Sequence, residues 1–365
     1  MNQPVVVVKV GTSSVTNEGG ELQDDALAKL CGDVAAARSI GARVVLVLSG
    51  AVAAGMPALG LRDRPTDVGM LQAIAAVGQP RLIARLNELL QHYSIVAGQV
   101  LLTPYDFVHR SQYLHARETF ERLLDLHVLP VVNENDTVAD DEIRYGDNDR
   151  LAALVSHLLR ADTLVILTDT RGVFTADPRL DNEASLIEEI VEVDAALEAV
   201  AGGTGTARGS GGMASKLAAA KIASWSGVRS VIAAATMDNV IVGAIEGQIG
   251  IGTVIQPREQ RLSARKLWIA FAQGSHGRVV VDDGAQRALT GGGKSLLPAG
   301  VRSVEGAFDA DQCVEVVGLD GAVFAKGLAS MSASGIRAIA GKHTSDLVEG
   351  SPHEVIHRDD LVVLP

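Results

Sequence analysis

The sequence predicts an α/β fold: a mainly parallel sheet sandwiched between helices, followed by a small β-barrel-like domain. From Val5 to about Pro257, short apolar runs alternate with longer segments of helical spacing, which is typical of parallel sheets covered by helices. The short runs are rich in Val, Ile and Leu, as in strands buried on both faces. After Pro257, short alternating segments separated by turn residues indicate a small β-barrel or sandwich. We therefore predict a first domain over residues 1–257, a linker over 258–264 and a second domain over 265–365.

Each element is predicted from its local pattern. Apolar runs predict strands at Val5–Val10, Arg43–Leu48, Val96–Leu102, Val128–Val132, Thr163–Leu167, Ser230–Ala234 and Gly252–Ile255. Helical spacing predicts helices at Asp24–Ser39, Thr66–Tyr93, Ser111–Leu126, Leu151–Leu159 and Met213–Ser226. Gly78-Gln79-Pro80 is a point where the second helix can break, and Ser111 is the expected cap of the third. Strands of the second domain are expected at Arg278–Val281, Val301–Val304, Gln312–Val317, Val323–Leu328 and Leu361–Leu364, with Asp282-Asp283-Gly284 as a turn.

Composition limits the classes of function. Of the 365 residues, 47% are hydrophobic and only 3% aromatic, so the cores must be aliphatic. The formal net charge of −12 opposes nonspecific binding to nucleic acid. Cys31 and Cys313 lie far apart without metal-site spacing, and we interpret them as buried or idle thiols in a reducing compartment.

The first residues and the hydropathy predict where the protein resides. The start MNQPVVVVKV has neither the basic region nor the long apolar core of a secretory leader. No apolar run reaches the length that a membrane-spanning helix needs. We expect a soluble, cytoplasmic protein without membrane contact.

The first strand ends in a lysine and a turn of small residues, Gly11-Thr12-Ser13-Ser14. Burial of Lys9 at the exit of this strand costs free energy unless an anion meets the ammonium group. The turn can offer backbone N–H groups and hydroxyls to the same anion, at the edge where open α/β sheets bind ligands. The alternative is a lysine that bends out to solvent.

Small and polar residues also follow the second and fourth strands. The second strand leads into Ser49-Gly50, where glycine lets the backbone approach a ligand or simply forms a strand-to-helix turn. The fourth leads into Asn133-Glu134-Asn135-Asp136, and Gly146-Asp147-Asn148-Asp149 follows shortly after. One such cluster is typical of a turn, but two together indicate a polar site. Carboxylates brought together there would need an ammonium group or Mg²⁺ to relieve their repulsion.

Two later segments complete the set of candidate binding residues. Thr168-Asp169 follows the fifth strand, where the aspartate suits a helix cap, a metal-orienting group or a ribose contact. A glycine-rich segment from Gly205 to Gly212 precedes the predicted helix at Met213. Such a segment offers N–H groups and the helix dipole to a phosphate, although a surface loop is the alternative. Lys216 in the first turn opposes that dipole, which is explained if a phosphate lies between them.

Together these segments match the needs of phosphoryl transfer. Two lysines, two glycine-rich turns and two Asp/Asn clusters can position and neutralise a transferring phosphoryl group. No convincing Ser/His/Asp arrangement is present, and the nine histidines lack metal-ligand spacing such as HExxH. The phosphate-binding motif GxxxxGK[ST] is also absent, because a serine precedes Lys216.

Seven motifs in order along the chain carry a resemblance to a known family. They are VVKVGTSSVT, SGAVAAG, AAVGQ, VNENDTV, GDND, LTDTRGVFTADPR and GSGGMASK. They resemble the glutamate 5-kinase family of the amino acid kinase superfamily, and the tail is similar to a PUA domain. The resemblance implies transfer of the ATP γ-phosphate to the side-chain carboxylate of L-glutamate, the first step of proline biosynthesis. A carboxylate is ionised at pH 7, which agrees with the lack of an obvious general base.

The resemblance also implies roles for individual residues. The lysines would neutralise the phosphoryl group, and the aspartates would hold the amino group and orient the lysines. These catalytic positions fall on Lys9, Lys216, Asp149 and Asp147. Substrate-binding positions fall on Ser49, Gly50, Asn133, Asp136 and Asn148. ATP-binding positions fall on Lys9, Gly11, Thr168, Asp169, Ser210, Gly211, Gly212, Met213, Ala214, Ser215 and Lys216.

Cofactors and partners follow from the same resemblance. It implies ATP as phosphate donor, Mg²⁺ bound mainly through ATP, and L-glutamate as acceptor. It further implies a homo-oligomer, dimer or tetramer, and feedback inhibition by proline. Thr137–Tyr145 is the expected mobile segment for that inhibition, because it joins the two Asp/Asn clusters.

Two other functions compete with this one. The acceptor could instead be aspartate, N-acetylglutamate, carbamate or UMP, although a wall rich in Asp and Asn suits a free amino group and repels a nucleotide phosphate. The chain could also be an RNA-binding protein with a degenerate kinase domain. Arg258, Arg261, Arg265 and Lys266 would then form a basic patch near the linker. We favour an accessory role for the second domain, because the chain is acidic overall.

Overall fold

The chain divides into two compact units, Met1–Arg261 (unit 1) and Leu262–Pro365 (unit 2). The computed structural model describes residues 3–17, 21–107, 109–138, 148–181, 183–194, 197–198, 201, 212–259, 261–272, 274–343, 346 and 353–364. The finer division into a first domain, a linker over 258–264 and a second domain remains a proposal. In unit 1, the guanidinium of Arg258 lies 4.2 Å from the centre of the Trp225 ring.

The described part of unit 1 contains an eight-stranded sheet in the order β3-β4-β2-β1-β5-β7-β8-β6. Its strands are β1 (Val5–Val10), β2 (Arg43–Leu48), β3 (Ala97–Leu102), β4 (Leu129–Glu134), β5 (Thr163–Thr168), β6 (Glu189–Ile190), β7 (Arg229–Ala234) and β8 (Thr253–Ile255). All neighbouring strands pair in parallel except β7 and β8. The predicted mainly parallel sheet is therefore confirmed.

Helices connect these strands. They are α1 (Asp24–Ser39), α2 (Ala51–Gly55), α3 (Val68–Gln91), α4 (Arg110–Asp125), α5 (Asn148–Leu159), α6 (Met213–Trp225) and α7 (Val240–Glu246). The central strands β1 and β5 are almost entirely buried, and one continuous cluster joins β1, β2 and α1. Cys31 lies in that cluster, so its predicted burial is confirmed. Among the described residues, no helix combines the length and the apolar character that crossing a bilayer requires.

Helix α3 runs without a break through Gly78, Gln79 and Pro80. The predicted break is therefore wrong, even though Pro80 cannot donate a backbone hydrogen bond. Close packing against α2 is the compensating feature. A Cβ atom on Gly78 would lie 1.7 Å from the backbone oxygen of Ala51, and one on Gly55 would lie 2.1 Å from that of Ile74. Backbone contacts this tight fix the two helices relative to each other.

The start of α4 also differs from expectation. The helix begins at Arg110, with His109 in the cap position, and no side chain caps it. Ser111 lies inside the first turn, where its hydroxyl donates to the Gln112 side chain at 2.9 Å. The predicted cap is therefore wrong by two residues, because a serine satisfies a neighbouring side chain as readily as a helix end.

Unit 2 contains a five-stranded mixed sheet in the order β10-β9-β11-β12-β13 among its described residues. The strands are β9 (Gly277–Val281), β10 (Val301–Gly306), β11 (Cys313–Val317), β12 (Val323–Leu328) and β13 (Leu361–Val363). Its helices are α8 (Ala264–Leu267), α9 (Asp283–Thr290) and α10 (Ala333–Ile339). The predicted turn at Asp282 is wrong: its carboxylate accepts from the N–H of Ala285 and caps α9.

Candidate functional site

Four strands of unit 1 end at the same edge of the sheet. Because β1, β2, β4 and β5 run in parallel, the residues at their carboxyl ends lie side by side. Lys9 stands opposite Val47 and Ile166 on the neighbouring strands. The same edge carries Ser49 after β2 and Thr168 at the end of β5. The sheet thus gathers predicted site residues that are far apart in the sequence.

The centre of this edge is a buried arrangement of three charged residues, Lys9, Asp149 and Lys216, which we call the lysine bridge. The Nζ atom of Lys9 lies 2.6 Å from Oδ1 of Asp149, and that of Lys216 lies 3.3 Å from Oδ2. The side-chain exposures are only 5%, 1% and 8% for Lys9, Asp149 and Lys216. Two buried ammonium groups beside one carboxylate bring positive charge to this edge of the sheet, which suits the binding of an anion.

Three elements hold the lysine bridge in place. Lys9 is in β1, Asp149 is the second residue of α5, and Lys216 is in the first turns of α6. Ser215 strengthens the link between the two helices, because its hydroxyl donates to Oδ2 of Asp149 at 2.8 Å. Burial would raise the pKa of Asp149, but Lys9, Lys216 and the Ser215 hydroxyl together hold that pKa below its ordinary value.

Next to the bridge, the side-chain amide of Asn148 joins the ends of two strands, β2 and β4. Its Nδ2 atom lies 2.8 Å from the backbone oxygen of Leu48, 3.0 Å from Oγ of Ser49 and 2.8 Å from Oδ1 of Asn133. The same Asn133 oxygen accepts the N–H of Glu134 at 2.9 Å. We call Ser49, Asn133 and Asn148 the amide network. It binds β2, β4 and the start of α5 into one wall.

The amide network leaves two polar atoms unsatisfied. Within the described part of the chain, Nδ2 of Asn133 and Oδ1 of Asn148 are buried and have no hydrogen-bond partner. A buried polar group without a partner costs about 1–3 kcal/mol. One of these atoms is a donor and the other an acceptor, so a ligand with both negative and positive groups would satisfy both.

A second carboxylate, Asp136, lies just past the end of β4. Burial raises the pKa of Asp136 to about 6, against the opposing effects of the Gln79 amide and the Arg64 guanidinium. Near pH 7 the group is ionised, and a cationic ligand would favour that state further. Gln79 projects from the buried face of α3, and its Nε2 atom lies 3.5 Å from Oδ2 of Asp136.

Two glycines border the site. Gly50 precedes α2 with φ of +111°, a conformation that other residues adopt only with strain, so glycine is required by the turn itself. Gly11 differs, because its φ is −73°. A Cβ atom on Gly11 would lie 3.7 Å from Nζ of Lys9 and 3.9 Å from the backbone oxygen of Leu167. A Cβ atom at position 11 would therefore cause no clash with the protein. It would only narrow the space beside the Lys9 ammonium group.

The predicted nucleotide residues divide between described and undescribed parts of the chain. Thr168 donates to Oδ1 of Asp169 at 3.0 Å, at the carboxyl end of β5. Gly212, Met213 and Ala214 form the start of α6, directly before Ser215 and Lys216. Ser210, Gly211 and Asp147 lie outside the described residues, as does most of the proposed segment Thr137–Tyr145.

Two of the four basic residues proposed as a patch have acidic partners within their own units. In unit 1, Arg258 forms an ion pair with Glu192. In unit 2, Arg265 forms one with Asp360. These pairs reduce the positive charge that would be available to a polyanion.

Sequence reasoning gave no role to two glutamines beside the site. Gln79 was part of a quoted motif, and Gln99 lies on the edge strand β3; the Nε2 atom of Gln99 donates to Oε1 of Gln79 at 3.0 Å. The signal that points to Gln79 is a polar residue on the buried face of an otherwise apolar helix stretch. The partner Gln99 depends on tertiary packing and has no signal in its local sequence.

Comparison with known proteins identifies the family. A model described as the amino acid kinase family matches residues 4–234. The chain belongs to the amino acid kinase family. A PUA domain model matches residues 277–350 of this kinase, within unit 2.

Curated relatives of this amino acid kinase match it over nearly its whole length. A glutamate 5-kinase from Cupriavidus pinatubonensis is 47% identical over 363 residues, which cover 98% of this chain and 97% of that protein. A glutamate 5-kinase from Caldanaerobacter subterraneus is 45% identical with the same coverage. Among solved structures, carbamate kinase from Giardia lamblia bound to AMP-PNP superposes with a TM-score of 0.51 at 16% identity, covering 70% of this chain and 99% of that one. That likeness shows a shared fold.

Proposed function

We propose that this amino acid kinase is a glutamate 5-kinase. It transfers the γ-phosphoryl group of ATP to the side-chain carboxylate of L-glutamate and forms L-glutamyl 5-phosphate, the first step of proline biosynthesis. The observation that carries the proposal is the lysine bridge, in which two buried ammonium groups share the carboxylate of Asp149. The identity to curated glutamate 5-kinases over 98% of the chain supports the choice of acceptor.

The lysine bridge lowers the main barrier of this reaction. Both the acceptor carboxylate and the triphosphate are anions, so bringing them together is opposed by charge. Lys9 and Lys216 offset that repulsion, and they act most strongly in the transition state, where charge spreads over the peripheral phosphoryl oxygens. Asp149 holds both ammonium groups in one place, so the charges are oriented before the substrates bind.

The acceptor binds against the amide network and Asp136. The donor Nδ2 of Asn133 suits a carboxylate oxygen of glutamate, and the acceptor Oδ1 of Asn148 suits its ammonium group. The ionised carboxylate of Asp136 attracts the same ammonium group. No residue needs to act as general base, because the attacking carboxylate is already ionised at neutral pH.

The donor side is formed by the end of β5 and the start of α6. Thr168, Asp169 and the segment from Ser210 to Lys216 bind ATP, with the first N–H groups of α6 directed at phosphate. Among the described residues, no group of three or more His, Cys, Asp or Glu side chains is arranged to hold a metal ion. We propose, from the resemblance, that Mg²⁺ enters with the triphosphate, as is common for kinases, and would supply charge neutralisation there.

Release of ADP by the full-length chain tests the proposal. ATP and Mg²⁺ are supplied with glutamate, aspartate, N-acetylglutamate, carbamate or UMP in separate reactions. A free amino acid suits both Asp136 and the amide network, which disfavours N-acetylglutamate, carbamate and UMP. We expect the highest kcat/KM with glutamate rather than aspartate, in line with the identity to curated glutamate 5-kinases. A higher kcat/KM with any other acceptor would overturn the assignment.

Regulation and assembly form a second part of the proposal. Proline inhibits the enzyme at or over the glutamate site, and substitutions within Thr137–Tyr145 shift proline sensitivity more than the affinity for ATP. The protein acts as a homo-oligomer, and unit 2 is an accessory domain without salt-sensitive RNA binding. Inhibition curves with and without proline, light scattering, and RNA titration at two salt concentrations test these three statements.

A further inference from the structure

Gln79 is buried in the middle of α3, at 8% exposure, between apolar neighbours. A buried polar side chain requires hydrogen bonds to offset its loss of water. Gln79 obtains them from residues outside its own helix, on β3 and at the end of β4. The hydrogen-bond partners of Gln79 therefore lie at the acceptor wall and not in the hydrophobic core.

The contacts of Gln79 have a direction. Its Oε1 atom accepts from Nε2 of Gln99 at 3.0 Å, so its carbonyl end is directed at β3. Its Nε2 atom is then directed at the end of β4, where it lies 3.4 Å from the backbone oxygen of Glu134 and 3.5 Å from Oδ2 of Asp136. The amide is thus a donor toward the carboxylate, because the reverse orientation would place its oxygen against two further acceptors, the Glu134 oxygen and the Asp136 carboxylate.

The backbone beneath Gln79 is fixed. Its neighbour Gly78 is in direct contact with the backbone of Ala51, and no room remains for a Cβ atom. Ala51 follows the Ser49-Gly50 turn, so α3 is locked to the turn that carries one member of the amide network. Gln79 therefore holds Asp136 from a rigid support that is shared with the rest of the acceptor wall.

We propose that Gln79 is a positioning residue that sets the carboxylate of Asp136 to receive the ammonium group of the acceptor, and that it thereby selects amino dicarboxylates over dicarboxylates without an amine. This inference rests on the proposed function, since it assumes glutamate as the acceptor. Gln79 acts through Asp136 and does not touch the reacting carboxylate. Replacement of Gln79 should therefore weaken binding of the acceptor's ammonium group only.

The test compares glutamate with glutarate, which has the same two carboxylates and no amino group. Q79M keeps the length of the side chain and removes all three hydrogen bonds of the amide, those with Gln99, Glu134 and Asp136. Because hydrogen bonds of 3.4–3.5 Å are weak, we expect kcat/KM for glutamate to fall about fivefold to tenfold, mainly through KM. We expect kcat/KM for glutarate and KM for ATP to stay within about twofold of the wild-type values.

A matched control and a pH profile separate positioning from damage to the fold. Q91M alters an exposed glutamine at the end of the same helix and should leave both acceptors unchanged. Because the Gln79 amide favours the ionised carboxylate, Q79M should also move the acidic fall in kcat/KM for glutamate to higher pH. A structural defect would lower kcat/KM for glutamate and glutarate alike and leave the pH profile for glutamate unchanged.

Three outcomes decide the inference. A reduced preference for glutamate over glutarate, together with the shifted profile, supports it. Equal losses for the two acceptors, or no loss for glutamate, overturn it while leaving the proposed function intact. If the wild-type chain releases no ADP with glutamate, the proposed function fails first, and Gln79 then has no acceptor to position.

Discussion

Lys9 and Lys216 contact opposite oxygens of one carboxylate, that of Asp149, although one lies in strand β1 and the other in helix α6. The distances from the two Nζ atoms to the carboxylate are 2.6 and 3.3 Å. This relationship places two cations at the carboxyl edge of the sheet, where strand order alone would bring only one. The predictions on catalysis follow from it.

Removal of either cation should abolish most turnover without unfolding the chain. For K9A and K216A we expect kcat to fall by about 10²–10³-fold each, because the charge is needed mainly in the transition state. K221A is the matched control on α6, since Lys221 pairs with Glu198 away from the bridge. Steady-state ADP release gives kcat, and circular dichroism checks the fold. Near-normal turnover in either bridge variant would contradict the proposed mechanism.

Loss of the charge on Asp149 should destabilise the protein. D149N keeps the shape of the side chain but removes the negative charge beside two buried ammonium groups, and we expect a loss of about 3 kcal/mol in the free energy of unfolding. S215A removes one hydrogen bond to the same carboxylate and should cost about 1 kcal/mol. Urea titration at pH 7 measures both. Equal stability of D149N and the wild-type protein would show that the bridge is not a structural charge pair.

The stability contributed by Asp149 should depend on pH in a defined direction. Its pKa is lowered in the folded state, so the contribution is fully present above the unfolded value of 3.8 and is lost as pH falls through the folded value. The difference in unfolding free energy between the wild-type protein and D149N should thus be constant near neutral pH and shrink below about pH 4. A difference that instead shrinks between pH 8 and 6 would point to another group.

Asp136 should control the acidic side of the activity profile. Its pKa is raised by burial to about 6, so the carboxylate becomes protonated as pH falls below that value and no longer attracts an ammonium group. We expect kcat/KM for glutamate to fall with pH through this region, about tenfold for each unit well below the pKa. D136N should have a low kcat/KM for glutamate at all pH values and should lack this transition. Retention of the transition in D136N would assign it elsewhere.

The contact between α2 and α3 should tolerate no side chain at Gly78. G78A would place a Cβ atom 1.7 Å from the Ala51 oxygen, so the helices must separate, at a cost of about 3 kcal/mol or more. G69A on the same helix is the control, because its Cβ atom would meet only the Asp67 side chain, at 3.5 Å. That change should be neutral or stabilise by up to about 1 kcal/mol. Equal unfolding midpoints for both variants would contradict the packing described.

Sequence patterns predicted the strands of unit 1 well, for a physical reason. Each of β1, β2 and β5 is an apolar run bounded by residues that cannot extend it, and burial on both faces leaves no ambiguity of period. Patterns failed where packing decides the outcome. Helix α3 passes through Pro80 because backbone contact with α2 holds it. Helix α9 begins at Asp283 with Asp282 as its cap, where Asp-Asp-Gly suits a turn equally well.

The candidate site likewise contains residues that have a local sequence signal and contacts that only tertiary packing creates. Lys9 and the polar clusters stand out locally, because charge and amide groups directly after apolar runs are costly without a purpose. The sharing of Asp149 between two lysines and the hydrogen bond from Gln99 to Gln79 link residues that are distant in sequence. Only the order of the strands in the sheet brings such residues together, and one sequence does not encode that order in any short segment.

Trapping of the product with hydroxylamine tests the central claim most directly. An acyl phosphate on the side-chain carboxylate reacts with hydroxylamine to give a hydroxamate, whereas a phosphate ester or phosphoramidate does not. With ATP, Mg²⁺ and glutamate, the wild-type chain should form γ-glutamyl hydroxamate in step with ADP, and K9A and K216A should form it at least about a hundredfold more slowly. ADP release without hydroxamate, or equal rates in all three proteins, would contradict phosphoryl transfer to that carboxylate across the lysine bridge.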